Sequence, residues 1–404
     1  MSHPFSMAQF PILPSQLLNS YNLVRPPPQL FAEQKPVAAK NVSNFITPTV
    51  PSQMLPPRDP DFAKIANDLI NKALDRKPGG SSVVEPDSVL DESGRLYHGY
   101  KEGKYLLPND AAYRLDLQHA IFRIMFNGWL ALAPFSSPPK FVLDIGTGTG
   151  IWAAEFAQQN PFSYVVGTDL SAIQPVSSLR NLIFAKDDAE EPWYFPHPDP
   201  DHSQCHGHCE HWVKFDYVHL RMMLTCFDDT RTVMKHAFQN LNPGGWIEFQ
   251  DTAMEFFQAN QSYSGDAIMR CAEGLNRGLA AIGRDGKKAW YYERWLKEIG
   301  FVDVVHRQCW IPITPWAADP KFKKMGAFNQ SNLYDGVRGI SWKLLRAAGM
   351  PAEQIEKIVN ESRCIRTQTT FVKDRPLEIA GSVTSSESTT SGSPALEPST
   401  LAET

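Results

Sequence analysis

The sequence predicts an α/β fold with a doubly wound, mostly parallel sheet, and two observations carry that prediction. From residue 140 onward, short apolar runs alternate with longer segments of helical spacing, as in strands joined by crossover helices. Glycines at alternate positions directly follow the first of these runs, in the stretch FVLDIGTGTGIWAAEF. A glycine-rich turn after the first strand of such a sheet is a place where nucleotides bind.

The elements of this sheet can be read in chain order. The predicted strands are KFVLDIG, YVVGTDL, NLIFAKD, FDYVHLR and GWIEFQD, and the predicted helices between them are IWAAEFAQQ, SAIQPVSSLR and TRTVMKHAFQNL. Two later strands, in FVDVVHRQCWIPI and TQTTFVKD, are expected to close one edge of the sheet as an antiparallel pair. The helical insertion between them, which contains MGAFNQSNLYDGVRGISWKLLRAAG, is expected to cover the site.

Composition divides the chain into four segments. Residues 1–60 are rich in proline and residues 381–404 in serine and threonine, so we expect a disordered arm and a disordered tail. Residues 61–94 are predicted to hold one amphipathic helix and a linker, because apolar residues recur there at helical spacing. Residues 95–380 are predicted to form the folded domain, which opens with a helix beginning near Asp110.

Composition and charge also exclude several classes of protein. The formal net charge of −5 supplies no basic field, so nucleic acid is not an expected partner. The most apolar helical stretch, AIFRIMFNGWLALAPF, is too short and too polar to span a bilayer, so no membrane association is expected. Sparse cysteines and an N-terminus without a secretory signal indicate reduced thiols. We expect a cytoplasmic protein, with the nucleus as the alternative.

The spacing of the glycine turn argues against a dinucleotide. In the fingerprint G-x-G-x-x-G the third glycine would fall on Ile151. The chain instead has Asp144, Gly146, Gly148 and Gly150 in the pattern D-x-G-x-G-x-G, and a carboxylate at the strand end would repel a pyrophosphate. The ligand near Asp144 is therefore expected to be cationic. S-adenosylmethionine fits, because a carboxylate can accept its α-ammonium group.

Carboxylates also end the next two predicted strands. Asp169 lies about 20 residues after the glycines, where the doubly wound topology delivers an acceptor for the two ribose hydroxyls. Asp188 ends the third strand, where the adenine amino group needs an acceptor, and Asp187 is a possible substitute for it. The coincidence of three acidic strand ends makes the cofactor prediction more specific than a lone glycine turn would.

Several stretches together resemble one known family. They are YHGYKEGKYLLPNDAAYRLDLQHAIF, FVLDIGTGTGIWAAEFA, VVGTDLSAIQP, FAKDDAEEPW, FDYVHLRMM and LNPGGWIEFQD, and they resemble the fungal LaeA-like (UMTA-type) class I methyltransferases. The resemblance implies a Rossmann-like class I methyltransferase fold over residues 95–380 and S-adenosylmethionine as the cofactor. Family members include proteins that act on fungal secondary metabolites and regulators of secondary metabolism. The chain departs from the family at Ala111–Tyr113, where an acidic residue is usual before RLD, and in a long histidine-rich insertion.

Catalytic residues are sought at the carboxyl ends of the strands, where open α/β sheets bind their ligands. His219 is the preferred general base, although a strand histidine bonded to a backbone carbonyl would look the same in sequence. Arg221 could steer an acidic substrate or pair with a neighbouring carboxylate, and Asp251 lies at a third strand end. His119, on the leading helix, could face the cofactor cleft or be structural.

The stretch HSQCHGHCEH at 202–211 gathers enough nitrogen and sulfur ligands for zinc. Its spacing matches no standard zinc module and all candidates lie on one loop, so we predict no metal site and favour a solvated polar insertion.

Two functions from different classes follow. The first is an S-adenosylmethionine-dependent methyltransferase that methylates an oxygen or nitrogen atom of a small fungal secondary metabolite by in-line transfer. The second is a nuclear regulator of secondary metabolism that retains the cofactor pocket and acts through a protein partner bound by the N-terminal arm. A methyltransferase with a protein substrate is a third, weaker alternative.

Overall fold

A computed structural model describes residues 88–90, 95–108, 112–198, 212–258, 267–363, 370–372 and 377–382. The predicted arm at 1–60 and the amphipathic helix in 61–80 lie outside these residues, as does the stretch 202–211. Nearly all of the predicted tail lies outside them too.

The described elements follow one another in this order. The strands are β1 (Val89–Leu90), β2 (Leu96–Tyr97), β3 (Phe141–Ile145), β4 (Tyr164–Asp169), β5 (Leu182–Lys186), β6 (Phe215–Arg221), β7 (Leu241–Asp251), β8 (Phe256–Gln258), β9 (Val302–Arg307), β10 (Ile311–Pro312), β11 (Thr370–Val372) and β12 (Leu377–Ser382). The α-helices are α1 (Ala112–Met125), α2 (Ile151–Gln159), α3 (Thr230–Asn240), α4 (Ala267–Ala281), α5 (Tyr292–Ile299), α6 (Pro320–Ala347) and α7 (Ala352–Arg363). A 3₁₀ turn, Lys288–Tyr291, precedes α5.

The central sheet has seven strands in the order β5-β4-β3-β6-β7-β12-β9. The first five are parallel, and β12 runs antiparallel to both of its neighbours. Chain order reverses at β3, which is bonded to β4 on one side and to β6 on the other. The predicted α/β fold with a mostly parallel sheet and an antiparallel edge pair is therefore confirmed, and β3 stands at the switch point where such sheets bind ligands.

The composition of the edge pair differs from the prediction. β9 lies in the predicted stretch, but its partner is β12 and not TQTTFVKD, part of which forms β11 in a separate small sheet with β10 and β8. β12 is the sequence LEIAGS, which crosses the domain end predicted at residue 380. The apolar run of LEIAGS is short, whereas the preceding TQTTFVKD is rich in β-branched residues and therefore gives the stronger strand signal.

One predicted crossover helix is not formed. Residues 171–180, SAIQPVSSLR, connect β4 to β5 without helical structure. Pro175 stands in the middle of this stretch, where it removes a helix hydrogen bond and disfavours helical backbone at the residue before it. The remaining predicted helices, at α2 and α3, are confirmed.

Alternate residues of the parallel strands pack against different helices. Val142 and Tyr217 face α2, where they cluster with Trp152 and Phe156, whereas Leu143 and its neighbours pack on the side of α3 and α5. Strands buried on both faces in this way read as continuous apolar runs. None of the described helices is long and apolar enough to cross a membrane.

A buried carboxylate ties the chain leading into β3 to the centre of the sheet. Glu248 of β7 is fully buried, and its Oε2 accepts hydrogen bonds from the backbone N–H groups of Leu132 and Ala133, each at 3.0 Å. The same oxygen accepts from the Tyr217 hydroxyl at 2.8 Å, and Oε1 accepts from Gln250 at 2.6 Å. Four donors therefore satisfy a group that would otherwise be costly to bury.

Replacement of Glu248 should lower stability strongly. Glu248→Ala leaves two backbone N–H groups and a hydroxyl buried without acceptors, and we expect the free energy of unfolding to fall by about 3–5 kcal/mol. Glu248→Gln keeps one carbonyl oxygen for these donors and should lose only about half as much. Urea denaturation followed by circular dichroism measures both variants. Equal losses in the two variants would contradict the role assigned to the oxygen.

Candidate active site

A pocket opens at the carboxyl ends of β3, β4 and β6, beside the switch point. Its floor is the glycine turn after β3, and its roof is formed by residues 105–108, here called the strap, together with α6. α6 approaches the strap closely because Gly339 lacks a side chain: a Cβ there would lie 2.8 Å from Cγ of Pro108. The helical insertion therefore covers the site, as its position in the sequence predicted.

The glycine turn adopts backbone that other residues avoid. Gly146, Gly148 and Gly150 have φ angles of 68°, 57° and 76°, in the left-handed region that carries a steric penalty for residues with a Cβ. A Cβ on Gly146 would also collide with the thioether of Met223. Gly146 and Gly148 line the pocket, whereas Gly150 stands just behind it as the N-cap of α2.

Asp144 is held rigidly at the end of β3. Its side chain is buried, with Oδ2 accepting from the Thr147 hydroxyl at 2.6 Å and Oδ1 lying 2.7 Å from Nδ1 of His219. The parallel register places Asp144 directly opposite His219 on β6. A carboxylate that is already oriented by two neighbours presents its remaining lone pairs to the pocket without further ordering.

Asp169 lies at the end of β4 in the same pocket. Its two oxygens accept from the backbone N–H groups of Gly148, at 2.9 Å, and Ser171, at 3.0 Å. Burial raises the pKa of this carboxyl group, and the two hydrogen bonds oppose the rise. The contact with Gly148 ties the end of β4 to the glycine turn, so the first two predicted cofactor elements form one unit.

Asp188 also lines the pocket, but lysines that precede the strap already engage its carboxylate. Lys104 Nζ lies 2.6 Å from Oδ2, and the backbone N–H of Glu190 donates to Oδ1 at 3.0 Å. Lys101 Nζ is 3.9 Å from the same carboxylate. Asp187 lines the pocket as well, and burial raises the pKa of its carboxyl group. Both acidic residues that the sequence proposed for the adenine are therefore present at the third strand end.

His219 contacts the floor of the pocket but is completely buried. Its ring stacks on the indole of Trp152, with centroids 3.8 Å apart and planes inclined by 6°. Nδ1 is engaged by Asp144, and Nε2 has no hydrogen-bond partner among the described residues. The structure thus brings His219 to the predicted cofactor site, while its role as a general base stays a prediction.

A hydrogen-bonded chain runs from Arg221, at the pocket, to His119 and Glu155. Arg221 Nη2 lies 3.0 Å from His119 Nδ1, and His119 Nε2 lies 3.1 Å from Glu155 Oε2. Burial lowers the pKa of His119 to about 4, so the imidazole is neutral at pH 7. Of these residues Arg221 lines the pocket, whereas His119 does not.

The carboxylate of Asp251 is engaged by groups of the protein itself. Its carboxylate accepts from the backbone N–H groups of Leu224 and Thr252 and from the hydroxyl of Tyr292, all within 3.0 Å. Burial raises its pKa to about 6. Asp251 does not line the pocket, and the residue after it does.

Several pocket residues were not singled out in the sequence. Apolar side chains from separate elements complete the wall: Tyr105, Leu107, Met223, Phe227, Met254, Ile340 and Leu344. The strap lies within the stretch YHGYKEGKYLLP that carries the family resemblance, and this was the one signal that could have pointed to it. The others are ordinary apolar residues whose meeting depends on how α6 folds back over the sheet.

The residues at the strand ends fit S-adenosylmethionine. Carboxylates that are buried or half-buried at three neighbouring strand tips favour a cationic nucleoside and disfavour a pyrophosphate. Gly146 and Gly148 bring backbone without a side chain of its own to the pocket lining. Among the described residues no group of three or more histidine, cysteine, aspartate or glutamate side chains is arranged to hold a metal ion.

Comparison with known proteins agrees with this geometry. Residues 117–310 match a family model described as a methyltransferase domain. The methyltransferase pytC of Aspergillus terreus is 34% identical over 255 residues, which cover 62% of this chain and 74% of pytC. The chain belongs to the LaeA-like class I methyltransferase family. It is an S-adenosylmethionine-dependent methyltransferase.

Two other similarities extend the comparison of this LaeA-like methyltransferase. The secondary metabolism regulator laeA of Monascus pilosus is 30% identical over 285 residues, covering 68% of this chain and 72% of that protein. Among solved structures, a phosphoethanolamine N-methyltransferase 2 from Haemonchus contortus is 17% identical, with a TM-score of 0.36, and covers 70% of this chain and 54% of that one.

Loss of the Asp169 carboxylate should weaken cofactor binding. Asp169→Asn removes the negative charge but keeps an oxygen for Gly148, and we expect S-adenosylhomocysteine to bind roughly tenfold or more weakly, since hydrogen bonds to charged groups are the stronger ones. Isothermal titration calorimetry measures the change. Asp285→Asn, an exposed aspartate outside the pocket, is the matched control. Unchanged affinity in Asp169→Asn would remove Asp169 from the cofactor site.

Proposed function

We propose that this protein methylates an oxygen or nitrogen atom of a small apolar molecule, a fungal secondary metabolite. The observation that carries the proposal is the mainly apolar wall that continues the cofactor pocket away from the strand tips, from the strap to α6. Enclosed apolar pockets with a few polar groups are typical of small-molecule sites. The similarity to pytC, a methyltransferase of an Aspergillus, supports the same assignment.

We also propose the residues that hold the cofactor. Asp144 accepts its ammonium group, Asp169 its ribose hydroxyls and Asp188 its adenine amino group, while Gly146, Gly148 and Gly150 keep the backbone close beneath it. S-adenosylmethionine supplies an electrophilic methyl group when bound. The protein's own task is then to align the acceptor in line with that methyl group and to exclude water, and the roof of strap and α6 serves this purpose.

The contacts of His219 favour a positioning role over that of the base. One ring nitrogen is engaged by Asp144, and the ring is stacked flat on Trp152. A donor in this position fixes the carboxylate that we assign to the cofactor ammonium. A base, by contrast, must reach the proton that it removes, and only the buried Nε2 would be left for that purpose.

A pair of substitutions separates these two roles. In His219→Asn the side-chain amide can still donate to Asp144, and we expect affinity for S-adenosylhomocysteine within a few-fold of the wild type, whereas His219→Ala should lose about tenfold. Calorimetry gives the affinities, and methyl transfer to an identified acceptor gives kcat. If His219 is instead the base, both variants should bind the cofactor normally and lose roughly 100-fold or more in kcat.

The similarity to laeA favours a second function. Relatives of that name are described as regulators of secondary metabolism, and the corresponding hypothesis is that this chain acts through a protein partner bound by residues 1–60. A cytoplasmic location goes with the enzyme, and a nuclear location with the regulator.

Comparative metabolite profiling of a deletion strain tests the two functions against each other. The enzyme predicts accumulation of one precursor that lacks a methyl group, restored by the wild-type gene and not by Asp169→Asn. A chain lacking residues 1–60 should also restore the product. Loss of many unrelated metabolites, with no rescue by the shortened chain, would contradict the proposed enzyme and favour the regulator.

A further inference from the structure

Arg221 stands at the tip of β6 on the face that carries the cofactor carboxylate. Asp144 lies opposite His219 in the parallel register, and Arg221 follows His219 by two residues, so its side chain projects from the same face. Two residues of a strand span roughly 6.6 Å. Arg221 therefore lies beyond the level of Asp144 along the strand direction, and both residues line the pocket.

The hydrogen bonds of Arg221 define the protonation of its neighbour. A guanidinium only donates, so Nδ1 of His119 must accept the bond from Nη2 at 3.0 Å. The ring proton then resides on Nε2, which donates to Glu155. The lowered pKa of His119 agrees with a neutral ring. His119 therefore orients the Arg221 guanidinium but, because it is neutral, does not compensate its charge.

Arg221 forms no direct ion pair with a carboxylate of the described residues, although the charges of Asp144 and Glu155 raise its pKa from a distance. Within the described part of the chain no carboxylate oxygen lies within 4 Å of it, and Glu155, at the end of the hydrogen-bonded chain, is 3.5 Å from Nε of Arg123 instead. The remaining contact of Arg221 places its cation 5.5 Å from the centre of the Phe122 ring. Burial lowers the pKa of Arg221 to about 10, which leaves it protonated at pH 7. Arg221 as a whole is half-buried, and a cation partly withdrawn from water is stabilised by a negatively charged partner.

We propose that Arg221 binds the carboxylate group of a ligand in this pocket. A guanidinium offers a planar fork of donors that matches a carboxylate, and here Nη2 is held by His119 while Arg221 lines the cavity. The inference rests on the proposed function of the pocket, because it assigns a recognition element within the same site.

Two ligands could supply that carboxylate. The methionine portion of the cofactor carries an ammonium and a carboxylate on one carbon, and the pair of Asp144 and Arg221 offers a negative and a positive group side by side. The acceptor could equally be an organic acid that enters along the apolar wall. In both cases the chemistry at Arg221 is the same.

The test compares ligands that differ only in the carboxylate-bearing part. S-adenosylhomocysteine and 5′-methylthioadenosine share the nucleoside and the sulfur, but only the first has the amino acid group. Calorimetry of the full chain should show that Arg221→Met binds S-adenosylhomocysteine roughly 10- to 100-fold more weakly, with 5′-methylthioadenosine unchanged, if the cofactor is the source. Arg231→Met, an exposed arginine outside this pocket, is the charge-matched control.

A second arm covers the acceptor. Benzoate and its neutral analogue benzamide are titrated into protein saturated with S-adenosylhomocysteine. If the acceptor is the source, Arg221→Met keeps its affinity for S-adenosylhomocysteine and loses benzoate binding, while benzamide binds both proteins alike.

The inference is overturned if Arg221→Met affects none of these ligands, or if it weakens S-adenosylhomocysteine and 5′-methylthioadenosine equally. If the methionine variant does not fold, Arg221→Lys takes its place, because it retains a charge and a donor for His119. Its affinity for the carboxylate ligand should fall several-fold. Unchanged affinity would overturn the inference. Failure of the wild type to bind S-adenosylhomocysteine would instead overturn the proposed function.

Discussion

The site depends on the buried contact between Asp144 and His219. A carboxylate withdrawn from water at the tip of β3 is stable only when its oxygens are bonded, and here Thr147 and His219 do this from two different elements. The ring of His219 is in turn immobilised by Trp152 of α2. Asp144, the helix that follows it and the neighbouring strand are therefore oriented together.

Sequence reasoning succeeded in locating residues whose place follows from their position on a strand. Asp144, Asp169 and Asp188 each end a run of apolar residues, and parallel topology then brings them to one edge of the sheet. It failed where contacts between residues distant in sequence determine the secondary structure or the strand pairing. SAIQPVSSLR has helical spacing but is not helical, and LEIAGS supplies the strand that was expected in TQTTFVKD. The burial of His219 and the engagement of Asp188 by Lys104 depend on elements remote in sequence, and no local pattern reports them.

The pocket combines two kinds of surface. Its inner end is lined with charged groups that are held by hydrogen bonds, as at Asp169 and Arg221, and its outer wall is apolar and assembled from the strap and α6. Fixed charges bind a ligand of constant structure, whereas an apolar wall that includes flexible methionines tolerates varied shapes. This division agrees with a family whose cofactor is constant and whose members are named for different activities.

The position of β12 in the sheet affects how the chain can fold while it is being synthesised. Residues 377–382 pair with β7 on one side and β9 on the other, so the penultimate strand of the sheet is among the last parts of the described chain to be synthesised. Until these residues leave the ribosome, β7 and β9 each present an open edge to other chains. The order of the strands therefore keeps two edges of the sheet open until late in synthesis.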